Sequence, residues 1–83
     1  MRVVNILKTN RGIIEEAYSF LINDETKSFD AISAANDKFM ELVSEDDPEL
    51  TEEDLYEHLE SAYYSNYDGL SIDIYFSDQV IEQ

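Results

Sequence analysis

The chain has no cysteine, so neither a disulfide staple nor a thiolate metal site can hold it together. That absence fits a reducing compartment. There is no tryptophan, one histidine (His58), one proline (Pro48) and two glycines (Gly12 and Gly69). Two isolated glycines exclude a glycine-rich phosphate loop. No apolar leader segment and no apolar run of membrane-spanning length is visible, and a cytoplasmic location is expected. The scarcest commodity is positive charge. Five Lys and Arg stand against twenty Asp and Glu, for a net charge of −15. None of the five (Arg2, Lys8, Arg11, Lys27 and Lys38) lies beyond position 38, so residues 1–38 are net −1 and residues 39–83 net −14. This imbalance excludes direct contact with nucleic acid or anionic membrane, whose surfaces repel carboxylates, and points to a basic protein partner.

High negative charge on a chain poor in apolar residues means disorder. Here the hydrophobic fraction is 43% and the aromatic fraction 12%, enough to build a core. The 83 residues are read as a single compact acidic domain. A domain this small, without staples, relies on efficient packing or on oligomerisation.

Residues 2–8 carry β-branched Val3, Val4 and Ile6 and read as a short strand, although Val3, Leu7, Asn10, Ile14, Ala17 and Leu21 also follow a helical heptad spacing. A turn is expected at 9–12, followed by a first helix over 11–22 with Ile14, Ala17, Tyr18, Leu21 and Ile22 as its apolar stripe. Thr9 or Asn10 would cap that helix, and Asn23 would end it in the left-handed conformation. A second helix is predicted over 28–44, with Ser28 as N-cap and Ile32, Ala35, Phe39, Leu42 and Val43 facing inward. A third starts at Thr51, with Asp54 at N3 in a capping box and Leu50 and Leu55 placed as a hydrophobic staple, and stops near 64–66. Residues 70–76 alternate Leu70, Ile72, Ile74, Phe76 against Ser71, Asp73, Tyr75, the pattern of a half-buried antiparallel strand. Its partner is residues 2–7, residues 79–82, or another subunit. The expected fold is α+β, with three helices packed on a small antiparallel sheet of two or three strands.

Catalytic readings fail on chemistry. Asp54, His58 and Ser61 share one helix flank, but a single helix supplies neither an oxyanion hole nor a pocket. His58 reads as an ordinary helix histidine. Aligning Gly69 with the sixth position of a calcium loop places Tyr64 and Tyr75 where that loop needs acids. No catalytic residue, metal site or cofactor is assigned.

The informative stretch is residues 41–60, with ten carboxylates and no cation. Glu53, Glu57, Glu60 and Tyr64 are spaced 4, 3, 4 and are predicted to share one exposed helix face, with successive members rising about 4.5–6 Å. That is comparable to the spacing of charges along a phosphate strand. Glu45, Asp46, Asp47 and Glu49 extend the row through the preceding loop, and Glu52 flanks it. Tyr64, Tyr67 and Asp68 supply an acid-plus-tyrosine rim, since exposed tyrosines are frequent interface anchors. Two readings stand. One is a solvated face that keeps the protein soluble. The other is a functional anionic surface, favoured by the absence of the interleaved Lys and Arg that normally support such a face.

In size, acidity and the stretches SEDDPELTEEDLYEHLE and YYSNYDG, the chain resembles the small acidic DNA-mimic inhibitors encoded by phages and mobile elements. Among these are anti-CRISPR proteins and inhibitors of uracil-DNA glycosylase and of restriction enzymes. The resemblance implies a non-enzymatic inhibitor, with an anti-CRISPR as the leading case. Its carboxylates would stand in for phosphates on a nucleic-acid-binding protein such as a Cas nuclease or another DNA-processing enzyme, in the host cytoplasm. The alternative is an acidic adaptor or regulatory module for a basic partner unrelated to nucleic acid.

Overall fold

A computed structural model describes residues 2–22 and 28–79. The sheet begins with β1 (Arg2–Asn10) and β2 (Ile13–Ile22), joined by the two-residue turn Arg11-Gly12. Both turn residues have positive φ, 53° and 83°, as a type I′ hairpin turn requires. The chain continues through α1 (Ser28–Asp46) and α2 (Glu52–Ser61), then β3 (Tyr63–Ser65) and β4 (Leu70–Ser77). Strand order is β2-β1-β4-β3, every pairing antiparallel. Among the described residues the fold is α+β with two helices and four strands, against the three helices and two or three strands expected.

The difference lies in residues 13–22, which form a strand and not a helix. Tyr18, Phe20 and Ile22 pack against the core, while Ala17, Ser19 and Leu21 between them point to the other side of the sheet. The paired apolar positions 13–14, 17–18 and 21–22 satisfy a helical stripe and a strand alternation together. β-branched and aromatic residues and the Gly12 turn decide for the strand. The anticipated caps at Thr9 and Asn10 are therefore strand residues, and Asn23 lies outside the described residues, as does the pairing considered for residues 80–82. β4 takes the first of its possible partners, pairing with β1 from Val3↔Ser77 to Asn10↔Leu70.

One face of the sheet carries Val4, Ile6, Ile72, Ile74 and Leu70, which join Ala35, Phe39, Leu42 and Val43 of α1 in the core. α1 lies across β2, β1 and β4, while α2 packs beside α1 next to β3. α2 contributes only half-buried Leu55 and Leu59 to that core, so it is the more superficial helix. β1 is covered on both faces over Val3, Val4, Asn5 and Ile6. Asn5, the buried polar residue of that run, is satisfied. Its Nδ2 donates to the Gln79 carbonyl at 3.0 Å, and its Oδ1 accepts from the Ser19 hydroxyl at 2.6 Å.

α2 starts where predicted. The Asp54 N–H donates to Thr51 Oγ1 at 3.2 Å and the Thr51 N–H donates to Asp54 Oδ2 at 3.3 Å, completing the capping box. Thr51→Ala is expected to cost about 0.5–2 kcal/mol in denaturant melts. Leu55→Ala should cost more, about 2 kcal/mol or above, because it strips core contacts as well. A neutral Thr51→Ala would show that the box contributes nothing to the helix start.

Candidate acidic interaction surface

The carboxylates of residues 41–60 divide by what they touch. Three hold the backbone in place. Asp54 serves the capping box, the Asp47 carboxylate accepts the Glu49 N–H at 3.2 Å, and Asp46 anchors the sheet to the end of α1. Asp46 Oδ2 accepts the Tyr64 hydroxyl at 2.5 Å, and both its oxygens accept from Asn66 Nδ2, at 3.1 and 3.0 Å. Asn66 Oδ1 in turn accepts the N–H groups of Asp68 and Leu70, shaping the turn between β3 and β4. Gly69 is required in that turn. Its φ is 93°, and a Cβ there would lie 2.8 Å from Arg11 Cγ.

The glutamates behave differently. Glu45, Glu49, Glu52, Glu53, Glu57 and Glu60 are all exposed, and among the described residues no hydrogen bond or ion pair engages their side chains. The described cations are committed elsewhere. Lys8 pairs with Glu16 at 3.2 Å, and Lys38 pairs with Glu41 at 3.4 Å and stacks 5.0 Å over the Tyr18 ring. Arg2 lies 4.6 Å over Phe76, and Arg11 sits on the β3–β4 turn, its backbone N–H donating to the Gly69 carbonyl at 2.9 Å and its guanidinium Nε to the Asp68 carbonyl at 3.5 Å. Lys8 and the Tyr18 hydroxyl also explain why the Glu16 carboxyl titrates below the usual range, with the Tyr18 bond the larger cause. Among the described residues, nothing comparable neutralises the α2 row.

Tyr64 is not where the sequence placed it. α2 ends at Ser61 because Ala62 adopts the left-handed conformation (φ 59°), its N–H reaching back to the His58 and Leu59 carbonyls. The chain then turns into β3, and Tyr64 points into the core, 7% exposed. Burial and the bond to Asp46 push its hydroxyl pKa up. The exposed row is thus Glu53, Glu57 and Glu60 alone. Tyr63 is 45% exposed, on the sheet face opposite the helices. Tyr67 at the turn is fully exposed. Asp68 is exposed beside Arg11, whose Nε donates to the Asp68 carbonyl at 3.5 Å. His58 is half-buried, edge-on to Tyr64 at 5.1 Å. Asp73 lies between Leu7 and Tyr63 on the sheet face away from the helices, the polar side of the 70–76 alternation. Burial there raises its pKa.

Among the described residues, no helix is long and apolar enough to cross a membrane. No protein-family model, curated protein or solved structure matches this chain.

Because the row lacks counter-charges, the fold works against its own repulsion. At low protein concentration, the melting temperature is expected to rise as NaCl goes from about 10 mM to about 100 mM, where the Debye length shortens from about 30 to about 10 Å. A flat or falling curve would show that the carboxylates are already compensated.

Proposed function

We propose that this chain is a non-enzymatic inhibitor that presents its α2 ridge and the preceding loop to the DNA-binding surface of a basic protein. A Cas nuclease is the first target to test, with anti-CRISPR activity as the biological role. The observation that carries the reading is the row of exposed, unpaired glutamates on α2, prolonged by Glu49 and Glu45, at phosphate-like spacing. Three features support it. The acids sit on a helix capped at both ends, so the charges are held in a fixed array. The acids that stabilise the local structure, Asp46, Asp47 and Asp54, are different residues from the unpaired glutamates. Tyr67 lies fully exposed in the turn that Asn66 ties to Asp46, close to the α1 end of the ridge, and is free to act as an apolar anchor.

The discriminating experiment is competition. The chain is titrated against a representative Cas nuclease, a uracil-DNA glycosylase and a restriction enzyme, each with fluorescent duplex DNA. A DNA mimic blocks loading of the duplex on its target and is itself displaced by excess duplex. Binding to a basic protein with no DNA competition at any concentration would favour an adaptor instead.

A further inference from the structure

We infer that Asp73, Tyr63 and Tyr75 form a receptor for an arginine side chain of a basic protein, on the sheet face opposite α1 and α2. The strand register builds it. Ala17, Leu7, Asp73 and Tyr63 stand in one row across β2, β1, β4 and β3. Tyr75 follows Asp73 by two residues on β4 and so shares its face. β3 begins at Tyr63, so no β3 residue stands opposite Tyr75. Tyr63 and Tyr75 are 45% and 41% exposed. Among the described residues, no ring contact joins them to each other or to another aromatic.

Asp73 is the unusual member. It is partly buried, and burial raises its carboxyl pKa. Yet among the described residues no hydrogen bond or ion pair engages its carboxylate. The Ser71 hydroxyl, two residues away on the same face, is bonded to Thr9 Oγ1 at 2.7 Å. The strand cations Arg2 and Lys8 lie on the helix side, where they meet Phe76 and Glu16. The occupant is argued from charge complementarity. A partly desolvated carboxylate without a partner is stabilised by a cation. Two exposed tyrosine rings beside it favour a cation that can stack. Guanidinium is planar, always charged and more weakly hydrated than an ammonium, and it grips a carboxylate through two parallel N–H bonds. Leu7 and Ala17, next in the row, give the arginine stem an apolar floor. The net charge of −15 draws such a partner in.

This inference does not rest on what the α2 ridge binds, because α2 packs on the other side of the sheet. The test is an NMR titration of the full chain with Nα-acetyl-arginine amide, a single cation, at constant ionic strength. Saturable shifts are expected at the Tyr63 and Tyr75 rings and at Asp73. Asp73→Asn keeps the shape and should weaken binding about tenfold, the equivalent of one charge-assisted hydrogen bond. Nα-acetyl-lysine amide should bind about threefold more weakly than the arginine probe, and Tyr75→Leu should erase that preference. The shifts should persist when Glu53, Glu57 and Glu60 are all changed to lysine, which separates this site from the ridge. Asp73→Asn should also melt no lower than wild type, because it removes an uncompensated charge. Equal affinity for the two probes, unchanged binding by Asp73→Asn, shifts lost with the ridge glutamates, or a destabilised Asp73→Asn would each overturn the inference.

Discussion

Reversing Glu53, Glu57 and Glu60 to lysine together is expected to abolish target binding while leaving the protein folded. All three side chains are exposed, on α2, and none makes a hydrogen bond or ion pair among the described residues. They lie off the Leu55–Leu59 side that meets the core, so the substitution removes no packing. One local cost is predictable. Glu53 is in the first turn, where the helix dipole favours an anion, and a lysine there costs about 0.3–1 kcal/mol. At the interface the effect is far larger. Each lysine faces a cation built to hold a phosphate, and close charge pairs across interfaces couple by about 1.5 kcal/mol or more. Three such losses predict at least about a thousandfold weaker binding. The neutral triple Gln variant should fall between, because it removes attraction without adding repulsion. For the wild type, the on-rate should be fast at low salt and fall steeply as NaCl rises. Normal binding by the triple-Lys protein, with its helical signal intact, would sink the phosphate-mimic reading.

Much of this fold could be read from local chemistry. Thr51 and Asp54 sit at capping-box spacing before an apolar run, and the box forms. Leu70, Ile72 and Ile74 alternate with polar residues, and all three are buried on one side of β4. Phe76, next in the alternation, remains half exposed at the strand end under Arg2. The failures came where local signals were degenerate. In β2 the doublets Ile13–Ile14, Ala17–Tyr18 and Leu21–Ile22 fit both periods, and only pairing with β1 resolves them. The end of α2 was hidden for a different reason. Ala62 adopts a left-handed conformation that usually announces itself through glycine or asparagine. No residue at that position signals a stop, so the sequence pattern carries the helix on through β3. The acidic row was legible because side chains off the Leu55–Leu59 stripe must face solvent. Tyr64 was not, because its burial depends on β3 pairing with β4, a contact across the turn at 66–69.

That relocation makes the two tyrosines separable by experiment. Tyr64→Ala is expected to damage the fold. The side chain is buried against Phe39, Ile72 and their neighbours in one cluster, and truncating a large aromatic in a core costs about 3–5 kcal/mol. The loss also removes a hydrogen bond to Asp46 and loosens the tie between α1 and the β3–β4 turn. Tyr64→Phe isolates that bond from the packing. It should cost about 1.5–3 kcal/mol, the range for a hydrogen bond to a charged group. Tyr67→Ala is the opposite case. Its ring is fully exposed, so stability should change by no more than about 0.5 kcal/mol. If Tyr67 anchors the partner, its truncation should raise the off-rate by about thirtyfold, equivalent to about 2 kcal/mol, with little change in the on-rate. The measurements are denaturant melts for all three variants and surface-plasmon kinetics against the target for Tyr67→Ala. An unchanged off-rate would confine recognition to the glutamate row, and an undiminished melt for Tyr64→Ala would contradict its place in the core.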